Sequence, residues 1–285
     1  MNIAEALRDA ARSLEPVSDT ARLDAELLMG EALGVTRSQL LLHHLQGDVP
    51  GAFGELLARR MQAEPIAYIL GRQEFYGREF IVTPDVLIPR GDSETVVCAA
   101  LEACPAPAPA RVLDCGVGSG ALLLTVLAER PEALGIGVDR SLGALAVAAA
   151  NAAQLGLTGR CRMLARDWSQ AGWSGGLGRF DLILANPPYV EEGAELDPSV
   201  RRYEPAGALF AGADGLDDYR RLVPQLPGML EENGLAVIEI GAAQAAAVRE
   251  IAEQAGFAAE LHKDLAGRAR ALILRFGLGK GALTG

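Results

Sequence analysis

Leucine and alanine recur at helical spacing through the N-terminal part of the chain, without the alternation that marks strands. Three helices are predicted there: residues 3–14, 21–33 and 53–61. Ser18 or Asp19 is expected to cap the second helix, and Gly34 to end it. Residues 1–64 are therefore predicted to form a small helical domain.

The hydrophobic pattern changes after this helical region. Residues 74–82 are predicted to form a hairpin that turns at Gly77. Val86–Arg90 is expected to be extended, because a residue before proline avoids helical geometry. Residues 65–91 are therefore interpreted as a connector made of a β-hairpin and an extended segment.

Apolar strands alternate with alanine-rich helices from Arg111 onward, after a helix at about 93–103 and a stiff proline spacer over Cys104–Pro109. The predicted strands are 111–115, 134–138, 160–164, 180–185, 234–240, 257–262 and 271–276. The predicted helices are near 119–129, 142–155, 217–231 and 242–255. This alternation predicts an α/β domain over residues 92–285, built on a doubly wound sheet of seven strands. The last two strands lack a helix between them, which fits a sheet whose final strand runs antiparallel.

The composition is that of a globular protein with an acidic surface. The chain has 285 residues, 50% of them hydrophobic, and a formal net charge of −11. This charge argues against a broad electrostatic grip on DNA or RNA, so direct nucleic-acid binding is not expected. No apolar run reaches membrane-spanning length, and the four cysteines have no CxxC spacing. We therefore expect a reduced, cytoplasmic protein with neither a membrane segment nor a metal site.

The tetrapeptide Asn186-Pro187-Pro188-Tyr189 directly follows the strand predicted at 180–185. Open α/β sheets bind ligands at the edge formed by the carboxyl ends of their strands. Two prolines make a stiff loop that presents a side-chain amide, free backbone carbonyls and an aromatic ring. Such a loop suits a flat group that carries an NH2: the Asn oxygen and a Pro carbonyl accept its two N–H bonds, and the Tyr ring packs on its face. The structural alternative is a proline-rich turn with an Asn cap.

The strand predicted at 111–115 runs into a glycine-rich turn and then a helix. The turn residues are Gly116, Val117, Gly118, Ser119 and Gly120. Their GxGxG spacing lets a ligand approach the backbone closely, but it departs from the GxGxxG spacing of dinucleotide sites. Asp114 precedes the turn, where its carboxylate would repel a phosphate but suit the ammonium group of an amino-acid ligand.

Acidic and aromatic residues follow the next two strands. Asp139 lies 19 residues after Gly120, where an acid can accept hydrogen bonds from both hydroxyls of a ribose. Asp167 and Trp168 follow the third strand, where an adenine can meet a carboxylate and an aromatic face. Taken singly, Asp139 could equally cap the next helix, and Trp168 could anchor a loop. Together with the glycine turn and Asn186, they predict a site for S-adenosylmethionine, and therefore methyl transfer with S-adenosylhomocysteine as the product.

With these residues in place, the chain resembles the protein-(glutamine-N5) methyltransferases that modify peptide-chain release factors. The resemblance covers nearly the whole chain. Beyond the glycine turn and the Asn186–Tyr189 loop, its motifs are Glu64–Tyr68 with Gly71, Phe75–Gly77, Leu87–Arg90, Asp92–Thr95, Tyr203–Pro205 and Asp264–Arg268. The chain departs from the family pattern at Gly91, at Ala269 and within the Cys115–Gly120 run. None of these departures removes a group assigned to the chemistry.

The resemblance implies a substrate and roles for the loop residues. It implies that the loop holds the side-chain amide of the glutamine in a Gly-Gly-Gln motif of a release factor, and that the helical domain helps to dock this factor. On this interpretation Asn186, Pro187 and Tyr189 are catalytic, while Pro188 and Arg90 contact the substrate. The enzyme is expected to act as a monomer.

Other functions remain open at this stage. Enzymes that methylate the exocyclic amine of adenine or cytosine carry a similar loop, although the acidic charge and the lack of a Lys/Arg-rich target domain argue against nucleic acid. A glutamine of a ribosomal protein is a second alternative substrate. A non-catalytic, cofactor-binding scaffold for release factors is the third, against which the presence of Asp139, Asn186 and Tyr189 argues.

Overall fold

The computed structural model describes residues 2–104 and 110–277, so the predicted proline spacer lies, after Cys104, outside the described residues. The described chain divides into two compact units. The first unit comprises the chain up to Arg72 together with Leu196–Tyr203, and the second comprises Gln73–Glu195 and the chain from Glu204 onward. The functional division into a docking domain, a connector and a catalytic domain stays a prediction.

The first unit is built from helices, as the leucine spacing predicts. Its consecutive helices are α1 (Ile3–Leu14), α2 (Ala21–Leu33), α3 (Arg37–Gln39), α4 (Ala52–Met61) and α5 (Ile66–Leu70), with a π-helical turn at Leu40–His44 after α3. Asn2 starts α1 with a capping box, in which its side chain accepts from the Glu5 N–H and the Glu5 carboxylate accepts from the Asn2 N–H. Leu7, Leu14 and Leu28 lie in the buried core of this unit.

The start of α2 differs from the prediction. The residue before it makes no side-chain capping bond, and neither Ser18 nor Asp19 takes the predicted role. The Ser18 hydroxyl donates instead to Asp24 Oδ2 at 2.7 Å. Asp24 is itself buried and paired with Arg60, whose Nε lies 2.7 Å from the same oxygen. The buried Asp24 carboxylate therefore accepts the hydrogen bond of the Ser18 hydroxyl, which the sequence pattern assigns to the cap of α2. Gly34 ends α2 as predicted.

A two-stranded hairpin and a seven-stranded sheet follow along the chain. The hairpin strands are β1 (Arg72–Phe75) and β2 (Arg78–Ile81), which turn at Tyr76 and Gly77 as predicted. The sheet strands are β3 (Arg111–Cys115), β4 (Leu134–Asp139), β5 (Cys161–Ala165), β6 (Phe180–Ala185), β7 (Leu230–Glu239), β8 (Phe257–Lys263) and β9 (Ala269–Phe276). They lie in the order β5-β4-β3-β6-β7-β9-β8, with β9 antiparallel to both of its neighbours. The predicted sheet with an antiparallel last strand is confirmed.

Helices cover both faces of the sheet. They are α6 (Glu94–Ala103), α7 (Ala121–Glu129), α8 (Leu142–Gln154), α10 (Asp217–Leu222) and α11 (Ala245–Gln254), while α9 (Pro198–Tyr203) belongs to the first unit. Val112 of β3 belongs to the same buried cluster as residues of α6, α7 and α8. The next residue, Leu113, belongs to the cluster that includes residues of α10 and α11. This alternation along one strand is the signature of a doubly wound sheet.

The helix predicted over 217–231 is wrong in its second half. The α-helix ends at Leu222, and the chain continues as a 3-10 helix over Val223–Met229. Pro224 and Pro227 lie in this segment and lack the N–H groups that an α-helix requires. Strand β7 accordingly begins at Leu230, before the predicted residue 234.

Asn151 joins the hairpin to the glycine-rich turn after β3. This fully buried side chain lies on α8, and its Oδ1 accepts from the Ile81 N–H at 2.6 Å. Its Nδ2 donates to the Ile81 carbonyl and to the Ser119 carbonyl, both at 2.9 Å. One amide therefore satisfies backbone groups of strand β2 and of the glycine-rich turn, which apolar packing alone would leave unpaired.

We expect Asn151→Ala to lower the free energy of unfolding by about 2 to 3 kcal/mol, because it leaves buried backbone groups without partners. Urea denaturation followed by circular dichroism measures this change.

Gln154→Ala is the matched control, because Gln154 lies on the same helix and its Nε2 donates to the Glu79 carbonyl at 2.8 Å in an exposed position. Water replaces an exposed bond, so we expect a loss below about 1 kcal/mol. Equal losses in the two variants would contradict the role given to Asn151.

Candidate active site

The carboxyl ends of β3, β4 and β6 open into one cavity of the second unit. The cavity and its mouth together hold about 1080 Å³ of empty space. Predicted site residues that line it are Arg90, Gly116, Gly118, Ser119, Asp139, Asp167, Trp168, Asn186 and Pro188. Residues far apart in sequence thus meet at the edge where open α/β sheets bind ligands. Predicted site residues that do not line it are Asp114, Val117, Gly120, Pro187 and Tyr189.

The glycine-rich turn forms the floor of this cavity. Gly116 and Gly120 have φ angles of 81° and 86°, which residues with a Cβ rarely adopt. A Cβ on Gly116 would also lie 3.1 Å from the Trp168 ring. The Gly116 N–H donates to the Val138 carbonyl at 2.9 Å, which fastens the turn to β4.

Asp139 holds the glycine turn from the end of β4. Its Oδ2 accepts from the Gly118 N–H at 3.1 Å, and its Oδ1 accepts from the Ser141 N–H at 2.8 Å. The alternative interpretation of Asp139 as a helix cap is wrong, because Ser141 caps α8 with a bond from the Ala144 N–H at 3.2 Å. The Asp139 carboxylate lines the cavity and has further lone pairs for a ligand.

Asp114 lies beneath the turn and is 1% exposed. Its Oδ2 accepts from the Leu123 N–H at 3.3 Å, near the start of α7, and its Oδ1 is buried without a hydrogen-bond partner. The pKa of Asp114 is raised to about 7, mainly by burial; the hydrogen bond from the Leu123 N–H acts to lower this pKa, and the nearby charge of Asp139 acts to raise it. Direct contact between Asp114 and a bound ammonium group stays a prediction.

Asp167 and Trp168 form another wall of the cavity. Asp167 accepts from the Ser169 N–H at 2.8 Å, and hydrogen bonds from Ser169 lower the pKa of the Asp167 carboxyl. Trp168 donates from its indole nitrogen to Asp218 Oδ1 at 2.9 Å, while Gln225 donates to its carbonyl at 3.1 Å. The Trp168 ring is therefore held in place beside Gly116, with part of its face on the cavity.

The Asn186–Tyr189 loop begins where β6 ends. Asn186 and Pro188 line the cavity, whereas Pro187 is buried and Tyr189 is half-buried. Asn186 Nδ2 lies 3.5 Å from the Ser93 hydroxyl oxygen, to which it donates. Gln244 donates to the Tyr189 carbonyl at 3.0 Å, so the end of the loop is tied to the residue that precedes α11.

A buried carboxylate lies behind this loop. Glu239, the last residue of β7, is 2% exposed, and its Oε1 accepts from the Tyr189 hydroxyl at 3.4 Å. Burial raises the pKa of Glu239 to about 7, although Ser93, Arg270 and Tyr189 all act to lower it. Burial and the charge of Glu239 likewise raise the pKa of Tyr189, so this phenol stays protonated at neutral pH.

The sequence-based prediction missed Ser93 and Glu239. The signal for Glu239 was an acid at the carboxyl end of an apolar strand, in the position that Asp139 occupies on β4. Ser93 lies within the Asp92–Thr95 motif that carries the resemblance, but this motif did not indicate a role in the loop, because Ser93 precedes α6 and reaches the loop only through the tertiary fold.

Arg90 lies on the cavity wall and forms an ion pair with Glu204, which is buried. Glu204 also accepts from the Ile88 N–H at 3.2 Å, so this carboxylate fixes the extended segment before α6. Gly91 begins a short 3-10 helix, and a Cβ at this position would meet nothing within 4 Å. The departure from the family pattern at Gly91 therefore leaves the cavity wall intact.

No helix within 2–104 or 110–277 is long and apolar enough to cross a membrane. Over those ranges, no three His, Cys, Asp or Glu side chains come together in a way that could hold a metal ion.

Comparison with known proteins places these features in a family. Residues 5–71 match the PrmC N-terminal domain, and residues 96–203 match the methyltransferase small domain. The chain is 42% identical to a release factor glutamine methyltransferase of Cereibacter sphaeroides over 282 residues, which cover 96% of this chain and 99% of the relative. It is 43% identical to one of Bordetella pertussis over 252 residues, which cover 86% of this chain and 92% of that relative.

A solved structure supports the fold alone. A methyltransferase from Pyrococcus furiosus superposes with a TM-score of 0.53 at 16% identity, covering 79% of this chain and all of that protein. The predicted methyltransferase fold and the predicted resemblance are both confirmed. By its identity to full-length relatives, the chain belongs to the release factor glutamine methyltransferase family.

Proposed function

We propose that this enzyme transfers a methyl group from S-adenosylmethionine to the side-chain amide nitrogen of the glutamine in the Gly-Gly-Gln motif of peptide-chain release factors. The observation that carries the proposal is that Asn186, at the start of a stiff proline loop, shares one cavity with Gly116 and Asp139. The relatives reported above are named release factor glutamine methyltransferases, which supports methylation of a release-factor glutamine. Because such a substrate works in translation, we also propose that the enzyme acts in the cytoplasm. That it acts as a monomer stays a prediction.

The cavity residues fit S-adenosylmethionine. Gly116 and Gly118 leave room for a ligand against the backbone, and the Asp139 carboxylate suits ribose hydroxyls. The unpartnered, buried Oδ1 of Asp114 lies beneath the same turn, where it favours a cationic group. When bound, S-adenosylmethionine supplies an electrophilic methyl group on a positively charged sulfur.

The loop residues would prepare the substrate amide. An amide nitrogen is a poor nucleophile, because its lone pair is delocalised into the carbonyl. Asn186 Oδ1 and the Pro187 carbonyl would accept its two N–H bonds, which raises electron density on the nitrogen and orients it. The Tyr189 ring would hold the plane of the amide. Correct alignment at roughly 3–3.5 Å then lowers the barrier through proximity, and a proton leaves the nitrogen once it carries the methyl group.

The proposal is tested by offering labelled S-adenosylmethionine with three substrates: a purified release factor, its Gly-Gly-Glu variant and duplex DNA. We expect label only on the unmodified factor, and mass spectrometry should place one methyl group on the glutamine of its Gly-Gly-Gln peptide. Label on DNA would favour the nucleobase alternative. No label on any of the three substrates, with S-adenosylmethionine still bound, would point to a ribosomal protein as the substrate or to a non-catalytic scaffold.

Asn186→Ala is expected to lower kcat by at least about a hundredfold, the usual cost of removing one preorganised polar contact from a reaction centre. The affinity for S-adenosylmethionine, measured by isothermal titration calorimetry, should stay within about twofold of that of the unmodified enzyme. The reason is that Gly116, Gly118 and Asp139, which line the cavity, are unchanged.

Asn233→Ala is the control for this variant, since Asn233 is exposed near the start of β7 and does not line the cavity. It should keep both kcat and affinity. Equal loss of cofactor binding and turnover in Asn186→Ala would contradict the role given to Asn186.

Asp139→Asn is expected to weaken S-adenosylmethionine binding by about tenfold or more, which corresponds to about 1.4 kcal/mol. The amide keeps one acceptor but loses the charge that strengthens bonds from the ribose hydroxyls. Calorimetric titration with both S-adenosylmethionine and S-adenosylhomocysteine checks this.

The matched control is Asp214→Asn, because Asp214 is an exposed acid paired with Arg220 and should leave binding unchanged. Unaltered affinity in Asp139→Asn would remove Asp139 from the cofactor site.

A further inference from the structure

Glu239 is a buried acid at the end of β7 that has no role in the proposed mechanism. Strands β6 and β7 are parallel, and Ala185 pairs with Ile238. The next residue on each strand is Asn186 and Glu239, so the buried acid ends its strand beside the first residue of the loop. Buried carboxylates are costly, and one at this position calls for a role beyond packing.

The contacts of Glu239 lead to both ends of the loop. Its Oε1 accepts from the Tyr189 hydroxyl at 3.4 Å, while its Oε2 is buried without a hydrogen-bond partner. The Ser93 hydroxyl acts to lower the pKa of Glu239, although it makes no hydrogen bond to Oε2. The same Ser93 oxygen is 3.5 Å from Asn186 Nδ2. A path of polar groups therefore runs from Tyr189 through Glu239 and Ser93 to Asn186.

We propose that Glu239 is a positioning residue that, through Ser93, determines which end of the Asn186 amide faces the substrate. The inference rests on the proposed function, because it concerns the acceptor that Asn186 offers to the glutamine amide.

The single proton of the Ser93 hydroxyl limits the hydrogen bonds that it can make. A serine hydroxyl can donate once and accept twice. A carboxylate beside Ser93 would draw the Ser93 hydrogen bond towards Glu239 Oε2, which has no other partner, and the Ser93 oxygen would then be left to accept from Asn186. The NH2 end of the Asn186 amide must turn to Ser93, as observed, which leaves Oδ1 for the substrate.

Without the carboxylate, this preference disappears. Ser93 becomes free to donate to Asn186 Oδ1, and the Asn186 amide can turn round. Its NH2 group would then face the NH2 group of the substrate, donor against donor, and no acceptor would orient the nitrogen for methylation. Glu239 also accepts from Tyr189, so the same carboxylate constrains the ring at the end of the loop.

The charges that face Glu239 come from several elements. Arg270 on β9 favours the carboxylate form, whereas Asp92, which pairs with Arg270 at 2.6 Å, opposes it. Tyr189 and Ser93 contribute hydrogen bonds, and the Tyr219 hydroxyl donates to the Glu239 carbonyl at 2.9 Å. Because the pKa of Glu239 is about 7, the carboxyl is protonated as pH falls through neutrality and can then itself donate. Acid should therefore remove the preference that the carboxylate imposes.

The test compares Glu239→Leu, Glu239→Gln and Ser93→Ala in the full chain, with a release factor as substrate. We expect Glu239→Leu to lower kcat by at least tenfold while the dissociation constant of S-adenosylmethionine changes less than twofold. Glu239→Gln should fall between Glu239→Leu and the unmodified enzyme, since its amide oxygen can still accept from Ser93. Ser93→Ala should lower kcat in the same way, because it removes the link to Asn186.

Dependence on pH separates positioning from general damage. The kcat of the unmodified enzyme should rise as pH increases through about 7, and this rise should be flattened in Glu239→Gln. The comparison is needed because Asp114 also has a pKa of about 7 and is present in both proteins. Glu232→Gln, an exposed position on the same strand, is the control and should keep the unmodified profile.

Thermal stability gives an independent readout. The folded-state pKa of Glu239 lies above its ordinary value of 4.5, so the stability it contributes is present at low pH and lost as pH rises through about 7. Glu239→Gln should therefore raise the Tm relative to the unmodified enzyme more at pH 8 than at pH 5. Lower activity together with higher stability is the expected combination.

Unchanged kcat and an unchanged pH profile in Glu239→Gln and Glu239→Leu would overturn the inference. Parallel loss of turnover and cofactor affinity in Glu239→Leu would also overturn it, since that pattern indicates structural damage. An unmodified enzyme that labels no glutamine would overturn the proposed function, and this inference with it, before any variant is compared.

Discussion

The register of three neighbouring parallel strands is the constraint on which the rest of this structure depends. Cys115 of β3 pairs with Ala185 of β6, and Ala185 pairs with Ile238 of β7. The three strands therefore reach one sheet edge at the same level. The residues that come next in the chain after Cys115, Ala185 and Ile238 are Gly116, Asn186 and Glu239, respectively. A slip of one residue in either pairing would reverse the faces and separate these groups. Backbone pairing in the core thus sets the relative positions of residues that are 53 or more positions apart in sequence.

Placing polar groups at a buried sheet edge has an energetic cost, and two carboxylates show it. Asp114 and Glu239 lie at strand ends and are almost fully buried, and each has one oxygen without a partner. Burial raises the pKa of both to about 7. Groups in this condition oppose folding at neutral pH, so their presence at the edge of the cavity is more consistent with ligand binding or orientation than with stability.

Much of the fold was predictable because its causes are local. The strand over 180–185 and the helix over 3–14 were found with their bounds, since apolar periodicity alone specifies them. Interactions between distant residues caused the misplaced cap of α2 and the omission of Ser93, whereas the helix predicted over 217–231 was wrong because of prolines within that segment. Ser18 leaves its predicted cap for Asp24, which is buried with Arg60. Ser93 acquires its place beside Asn186 only when α6 packs on the sheet, so the Asp92–Thr95 motif does not by itself reveal this contact.

Asn151 couples two parts of the second unit that are separate in sequence. Its one amide group bonds both to Ile81 at the end of the hairpin and to Ser119 in the glycine turn. A ligand that immobilises the turn would therefore also stabilise the hairpin through this side chain. By the same linkage, an ordered hairpin lowers the entropic cost of ligand binding. The hairpin is thus coupled to the glycine turn of the cavity, although its strands lie outside the seven-stranded sheet.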